Sequence, residues 1–174
     1  MKVTDHIKNA KSTLFSFEIL PPLKGKSIQS IYEGIDPLME FKPPFVNVTY
    51  HREEYVYKDK GNGLLEKVSI RKRPGTVGIC AAIMNKYHVD AVPHLICGGF
   101  TKEETENALI DLQFLGVDNI LALRGDPVKT ESTFVPKSGG NQYAVDLVKQ
   151  IMELNDGKYM MDDVSLAPTN FCAG

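Results

Sequence analysis

Short apolar runs alternate with longer segments of helical periodicity along this chain. The runs occupy residues 14–19, 45–50, 91–96 and 119–123, and each is followed by a polar or glycine-containing stretch. Runs of this length predict β-strands. Between them we predict a helix over residues 27–41, with Ser27 as N-cap and Pro37 dividing it, and helical structure within residues 64–87.

The clearest helix follows the third run. Thr101 and Glu104 form a T-x-x-E capping box, and Gly116 stands where a C-cap glycine belongs. Between them apolar residues recur on one face, namely Ala108, Leu109, Leu112 and Leu115. A last helix presents Ala144, Leu147, Val148 and Ile151 in the same way, and residues 170–173 resemble the start of a fifth strand.

Strands that alternate with amphipathic helices predict an α/β fold with a parallel sheet. Two arrangements satisfy this pattern: a doubly wound open sheet, or part of a (β/α)8 barrel. A complete barrel needs about 250 residues, so this chain would hold four units and the start of strand five. No G-x-G-x-x-G follows the first strand, which weakens the dinucleotide-binding option. We expect residues 1–174 to be the N-terminal half of one barrel catalytic domain, truncated before the remaining units.

Composition narrows the function classes. The 20 basic and 22 acidic residues give a net charge of −2, so no overall field attracts nucleic acid or an anionic membrane. The basic run at residues 71–73 is interpreted as a solvated helix end. Cys80, Cys97 and Cys172 are odd in number and widely spaced, which argues against disulfides and structural zinc. With no apolar run of signal-peptide or membrane-spanning type, we expect a cytoplasmic protein.

Polar residues cluster at the predicted carboxyl ends of the strands, where parallel α/β proteins carry their sites. They are Glu18, Thr49, His94 and the Arg124-Gly125-Asp126 triplet. Glu18 lies among apolar neighbours, where a carboxylate is costly unless it is paired or functional. Desolvation there would suit it to general-acid catalysis. Together these residues predict a ligand cleft.

Each of these residues also has a structural interpretation. Glu18 could face solvent in an edge strand, His94 could be a satisfied core histidine, and Thr49 is a good strand former. Arg124 and Asp126 could form an ion pair. The Gly98-Gly99 pair could cradle phosphate at the next helix, although a tight strand-to-helix turn is its commoner use.

Four segments carry a family resemblance: FSFEILPP at residues 15–22, VNVTY at 46–50, PHLIC at 93–97 and LALRGD at 121–126. In this order and spacing the chain from about residue 14 to its end resembles the methylenetetrahydrofolate reductase family. The resemblance implies a (β/α)8 barrel that binds FAD. It also implies that hydride passes from NAD(P)H to 5,10-methylenetetrahydrofolate in a ping-pong reaction of one-carbon metabolism, giving the 5-methyltetrahydrofolate used in methionine synthesis.

The resemblance also implies residue roles. Glu18 matches the catalytic glutamate that supplies a proton at N10 of the folate, and Asp126 matches the aspartate beside flavin and folate. The positions that match FAD contacts are Thr49, Tyr50, His94, Leu123, Arg124, Gly125, Asp126, Tyr143 and Ala144. The partners implied are two small-molecule substrates and further copies of the same chain.

Two departures and two alternatives stand beside this interpretation. Residues 51–54, His-Arg-Glu-Glu, replace the small residues of many relatives, so no contact is transferred beyond Tyr50. The later strands, which hold more of the FAD site and most of the folate pocket in the family, lie outside the sequence. One alternative is an inactive half-barrel that associates through exposed strand edges. The other is a flavin-free barrel enzyme acting on a phosphorylated metabolite. The sequence does not distinguish NADH from NADPH.

Overall fold

A computed structural model of the protein describes residues 1–128, 131–160 and 166–174. Helices and strands alternate through most of this length. In chain order they are α1 (Val3–Asn9), β1 (Phe17–Ile19), α2 (Gln29–Ile35), a 3-10 helix (Asp36–Phe41), β2 (Phe45–Val48), β3 (Glu54–Asp59), β4 (Leu65–Ile70), α3 (Thr76–Tyr87), β5 (Asp90–Ile96), α4 (Lys102–Phe114), β6 (Asn119–Leu123), α5 (Ala144–Asn155) and β7 (Cys172–Ala173).

Five parallel strands form the main sheet, in the order β1-β2-β5-β6-β7. All five predicted strands are therefore confirmed, together with the mixed α/β class. The order in the sheet follows the order in the chain, and the part of the sheet that the structure describes contains no reversal. A doubly wound sheet has such a reversal at its switch point.

The core lies between this sheet and the helices. Its strand residues alternate along the chain, as Val46 and Val48 do on β2, because successive side chains of a strand point to opposite faces. The helices contribute apolar residues at helical spacing, which are Ile79, Ile83, Leu109, Leu112, Leu147 and Ile151. The predicted apolar faces of the two later helices are thus buried at Leu109, Leu112, Leu147 and Ile151, whereas Leu115, predicted on the same face of α4, is 41% exposed.

The capping box of α4 is present. The Glu104 N–H donates to the Thr101 hydroxyl at 3.2 Å, and the Thr101 N–H donates to the Glu104 carboxylate at 2.7 Å. Lys137 adds an ammonium 2.6 Å from that carboxylate. At the other end Gly116 follows the helix with φ 71°, a left-handed conformation that glycine adopts without strain. Both ends of the helix were therefore predicted correctly.

Replacing Thr101 by alanine is expected to lower the free energy of unfolding by about 1 kcal/mol, because it removes the acceptor for one N–H of the first turn. Urea denaturation followed by circular dichroism measures the change. Thr101→Ser keeps the hydroxyl and is the matched control. Equal losses in the alanine and serine variants would show that the hydroxyl oxygen does not stabilise the helix.

A β-hairpin stands where the sequence predicted a polar stretch followed by helix. β3 pairs antiparallel with β4, and the connecting turn has positive φ angles at Gly61, Asn62 and Gly63. The helical structure expected within residues 64–87 is confirmed at residues 76–87, and residues 65–70 of that range form β4 instead. The basic run at residues 71–73 follows this strand, so its interpretation as a helix end is wrong. The hairpin is exposed along most of its length, so its strands lack the apolar runs that marked the other five.

The N-cap predicted at Ser27 is also wrong. α2 begins at Gln29, Ile28 occupies the N-cap position with helical torsion angles (φ −58°, ψ −24°), and no side chain caps the helix. The Ser27 carbonyl instead accepts the N–H and hydroxyl of Ser30, at 3.3 and 2.8 Å. The division at Pro37 is confirmed, since the α-helix ends at Ile35 and a 3-10 helix containing the proline follows.

Helix α1 lies across the amino ends of the central strands. The Val3 N–H donates to the Asn119 side chain at 2.8 Å, and Asn119 donates back to the Met1 carbonyl at 2.9 Å. His6 and the terminal ammonium both contact the carboxylate of Asp90 at 2.6 Å. These contacts occupy the end of the sheet opposite to the predicted site.

The three cysteines are unpaired, and burial raises the pKa of the Cys80 thiol to about 12, which makes it a poor nucleophile. Within residues 1–128, 131–160 and 166–174, no three histidine, cysteine or acidic side chains are arranged to hold a metal ion. Over the same ranges, none of the helices has the length and apolar character needed to cross a bilayer.

Candidate active site

Glu18 and His94 lie on the face of the sheet that points away from the helices, whereas Asp126 lies in the loop after β6. The register pairs Glu18 with Asn47 and Asn47 with Val92. His94 lies two residues beyond Val92, so it shares that face, whereas its neighbour Leu95 points into the core. Three adjacent strands thus bring a carboxylate, an amide and an imidazole together.

Glu18 and His94 form the centre of this group. Oε2 of Glu18 lies 3.6 Å from Nε2 of His94, too far for a direct hydrogen bond, and the two form an ion pair only when the imidazole is protonated. The His94 side chain is 6% exposed, and its Nε2 has no hydrogen-bond partner among the residues described. A buried polar atom of this kind is costly and needs a partner. The interpretation of His94 as a satisfied core histidine is therefore wrong.

The environment fixes the charge of His94. Burial lowers the pKa of its imidazole below the ordinary value, and the nearby Glu18 carboxylate opposes that change. The ring is therefore neutral at pH 7, with one nitrogen as donor and the other as acceptor. A neutral imidazole beside a carboxylate can accept a hydrogen bond from a ligand or donate one to it, and it adds no second charge to the site.

The side chain of Glu18 is 61% exposed, so the desolvation expected from its apolar sequence neighbours is absent. β1 is the first strand in the order of the described sheet, and its face is open beside Glu18. The structural interpretation of Glu18, as a residue that faces solvent in an edge strand, therefore describes its placement. Glu18 nevertheless lies close to His94, so its side chain is both exposed to solvent and part of the site.

The ends of β1 and β2 are held together by Thr49. Its N–H and hydroxyl both donate to the Ile19 carbonyl, at 3.1 and 3.3 Å. Tyr50 packs its ring 5.1 Å from that of Phe100, and burial raises the pKa of its hydroxyl. Tyr50 lines a separate cleft beside the hairpin, so the structure places only Thr49 next to the strand-end group.

The LALRGD segment continues from β6 at the same end of the sheet. Leu123 is 36% exposed, and Gly125 has φ 82°; a Cβ there would lie 3.3 Å from Ile96. Arg124 lies 5.3 Å from the Phe134 ring, and Asp126 is exposed. Among the ion pairs of the described residues none joins Arg124 to Asp126, so the structural ion-pair alternative is wrong.

Tyr143 and Ala144 lie at the start of α5. The Tyr143 N–H donates to the Asp146 carboxylate at 3.0 Å, and its side chain is exposed. No hydrogen bond or ring contact in the described ranges joins Tyr143 to Glu18 or His94. Tyr143 and Ala144 therefore lie at the same end of the fold as the Glu18–His94 pair, but these contacts do not join them to it.

Arg52 was not among the residues that the sequence predicted for the site. Its guanidinium lies 2.8 Å from the Glu131 carboxylate, which links the segment after β2 to the loop after β6. It also covers the turn at Gly98, where a Cβ would lie 3.0 Å from Nη1. The phosphate cradle considered for Gly98-Gly99 is thus filled by Arg52, and the tight-turn interpretation describes that segment.

Asn47 was also missed, although a signal for it exists. It is a polar residue between two buried valines, Val46 and Val48, so strand alternation places it on the opposite face. That face is the one that carries Glu18. For Arg52 no comparable signal exists, because its partner lies 79 residues further along the chain.

Comparisons with known proteins agree with the site motifs. A family model described as methylenetetrahydrofolate reductase matches residues 2–172. Methylenetetrahydrofolate reductase (NADH) 1 of Arabidopsis thaliana is 31% identical over 154 residues, which cover 87% of this chain and 23% of the relative. The 5,10-methylenetetrahydrofolate reductase of Escherichia coli K12 is 32% identical over 142 residues, covering 81% and 40% respectively. The chain therefore spans less than half the length of these relatives.

Proposed function

Because the chain belongs to the methylenetetrahydrofolate reductase family, we propose that it supplies the N-terminal part of an enzyme that reduces 5,10-methylenetetrahydrofolate. In this proposal NAD(P)H is the reductant, FAD carries the hydride, and 5-methyltetrahydrofolate is the product. The observation that carries the proposal is the meeting of Glu18 and His94 on the open face of the parallel sheet. The names of the two relatives described above support the same reaction.

For the fold we propose a (β/α)8 barrel, with residues 1–174 as the N-terminal half of its catalytic domain. The sequential strand order supports this, since a barrel adds each strand beside the previous one. The position of α1 across the amino ends of β5 and β6 also supports it, because barrel enzymes carry their sites at the opposite end.

The residues present are compatible with FAD at the strand ends. His94 offers a buried, unpartnered nitrogen to the polar edge of a flat ring, and Leu123 offers an exposed apolar surface beside it. The glycine at position 125 lets the backbone turn close to Ile96 without a side chain in the way. When bound, FAD would supply hydride transfer. Thr49, Tyr50, Arg124, Asp126, Tyr143 and Ala144 complete the proposed contact set.

Glu18 is proposed to protonate N10 of the folate as its five-membered ring opens. Its exposure supports this role, since a donor must reach a substrate that arrives from outside the sheet. The neutral His94 imidazole is proposed to hold the carboxyl group in place and to contact the cofactor. Asp126, also exposed, is proposed to set the charge beside cofactor and substrate.

Cellular context belongs to the proposal as well. The three unpaired cysteines support a reducing compartment, for which we propose the cytoplasm. Self-association with further copies of the same chain belongs to the proposal too.

The absorption spectrum tests the proposal. The 174-residue chain and a version extended by the remaining strands are mixed with FAD, desalted and compared. The extended protein is expected to retain the flavin absorption band. A His94→Leu variant of the extended protein is expected to bind FAD about tenfold more weakly, because the contact between the neutral imidazole and the cofactor, worth about 1.4 kcal/mol, is removed. A folded extended protein that retains no flavin would contradict the proposal and favour the flavin-free enzyme.

A further inference from the structure

A small cavity lies between α4 and α5. It has a volume of about 450 Å³, which falls within the range of small-molecule sites, about 300–1,000 Å³. Its walls come from the first residue of α4, the loop before α5, one face of α5 and the segment after it. None of the described residues that line it belongs to the catalytic or FAD-binding set proposed above, so the cavity is separate from that site.

The walls of this cavity are held in place by the backbone. The Lys102 N–H donates to the Gly139 carbonyl at 3.0 Å, which fastens the loop before α5 to the start of α4. At the next position, Gly140, a Cβ would overlap the Phe100 carbonyl, so the two stretches of backbone approach too closely for any side chain there. A cavity whose walls are already fixed needs little reordering when a ligand binds.

One polar atom of the cavity lacks a partner. Asn141 lines the cavity and is only 2% exposed. Its Nδ2 donates to Oε1 of Gln150 at 2.7 Å, whereas its Oδ1 has no hydrogen-bond partner among the described residues. A buried polar atom in this state is costly. A ligand that donates a hydrogen bond to Oδ1 would remove that cost.

The neighbouring groups determine which atom of Asn141 is left free. Gln150 donates through Nε2 to the Lys102 carbonyl at 2.7 Å, and a carbonyl can only accept. The side-chain oxygen of Gln150 must therefore face Asn141, which in turn presents its own amide nitrogen. The atom left over is an oxygen, so the ligand must bring an N–H or O–H donor. Hydrogen bonds connected in series in this way also strengthen one another.

Four charged side chains surround this acceptor. Asp146, Lys149 and Glu153 line the cavity from one face of α5, and Lys102 lines it from α4. None of the four belongs to an ion pair among the described residues. Two positive and two negative charges give the lining no net charge, so it favours neither a simple anion nor a simple cation. A ligand that carries both charges is complementary to it.

One wall of the cavity is apolar. Met160 lines it, and the Met160 N–H donates to the carboxylate of Glu106 on α4 at 2.8 Å, which holds this residue beside the helix. Its sulfur lies 3.7 Å from Nε2 of Gln150, next to the amide pair. A thioether is a flexible and polarizable surface that adapts to an aliphatic group. The ligand can therefore carry an apolar side chain beside its charged groups.

We propose that this cavity binds a free α-amino acid. The ammonium group of the ligand donates to Oδ1 of Asn141 and is attracted by the two carboxylates of α5. Its carboxylate is attracted by the ammonium groups of Lys102 and Lys149, and its side chain lies against Met160. The hydrogen bond to Asn141 would be charge-assisted, and such bonds are about twice as strong as those between neutral groups.

Isothermal titration calorimetry of the protein with L-leucine tests the proposal. Two analogues serve as matched ligands: isocaproate lacks the ammonium group, and isoamylamine lacks the carboxylate. L-Leucine is expected to bind with a Kd of about 1 mM or tighter. Each analogue is expected to bind about tenfold more weakly, because it leaves one pair of charges in the cavity without a partner.

Variants of the cavity localise the binding. Asn141→Leu is expected to weaken L-leucine binding about tenfold, with circular dichroism as the check on folding. Lys149→Gln is expected to weaken it about fivefold, and Lys149 is exposed, so this variant does not depend on the buried amides. Lys8→Gln is the matched control, because Lys8 is an exposed cation on α1 that does not line the cavity. His94→Leu is expected to leave this affinity unchanged, which separates the test from that of the flavin site.

Several outcomes would overturn the proposal. Absence of L-leucine binding would mean that the cavity holds water only. Equal affinity for isocaproate or isoamylamine would contradict a ligand that needs both charges. Wild-type affinity in a folded Asn141→Leu variant, or in Lys149→Gln, would place the binding elsewhere on the protein. An equal loss in Lys8→Gln would attribute it to general positive charge.

Discussion

Folate reduction is expected to fall by about 10²- to 10⁴-fold when Glu18 is replaced by glutamine in the enzyme that contains this chain. That range is the usual contribution of a positioned acid or base. Glutamine keeps the size and hydrogen-bonding capacity of the side chain but cannot release a proton. Oxidation of NAD(P)H by an artificial electron acceptor does not need this proton, so it is expected to continue at close to the normal rate. Stopped-flow absorbance measures the two half-reactions separately.

Glu33→Gln is the matched control for this experiment. Glu33 is an exposed glutamate on α2, on the helical layer rather than the open face of the sheet. Its replacement changes net charge by the same amount and is expected to leave both half-reactions unaltered. Survival of folate reduction in the Glu18 variant would remove the general-acid assignment. Equal loss of both half-reactions would point to a damaged site instead.

Leu109→Ala is expected to lower the free energy of unfolding by about 2–5 kcal/mol, because it leaves a cavity in a packed core. Leu109 is completely buried on α4, in the cluster between helices and sheet. Phe114→Ala on the same helix removes a larger side chain that is 91% exposed, and is expected to change stability by no more than about 0.5 kcal/mol. Urea denaturation measures both. A larger loss for Phe114→Ala would mean that this ring is covered by another part of the protein.

The sheet was predictable because its signal is local. Each of its strands lies in an apolar run, those in the centre are buried by helices, and each helix of the later half has its own apolar residues and end signals. Parallel pairing then follows from the alternation of strands and helices. The rule that sites lie at the carboxyl ends of parallel strands was enough to place Glu18 and His94 near each other without any structure.

The hairpin and the cleft beside it, which Tyr50 lines, were not predictable from such local patterns. The strands β3 and β4 are exposed along most of their length, and neither forms an apolar run that would distinguish it from a loop. The cleft depends on contacts between segments about fifty residues apart, such as those of Lys24 with Lys72. Sequence patterns do not report contacts between segments so far apart in the chain.

Exposure was the other property that sequence could not supply. The neighbours of Glu18 along the chain are apolar, yet its surroundings are set by which strands lie beside β1. His94 shows the reverse case, since a polar residue in an apolar run became buried with one nitrogen unpartnered. In both cases the sequence placed the residue at the strand ends but did not give its surroundings.

The contacts of α1 affect the order in which the chain can become organised during synthesis. This helix is made first, but its partners Asp90 and Asn119 lie 84 to 116 residues later. Each parallel strand, by contrast, can dock on the one before it as soon as the intervening helix has emerged from the ribosome. The segment of α1 therefore gains its contacts with Asp90 only when β5 has been translated and those with Asn119 only when β6 has, so it is fully fixed after the sheet that it covers has begun to assemble.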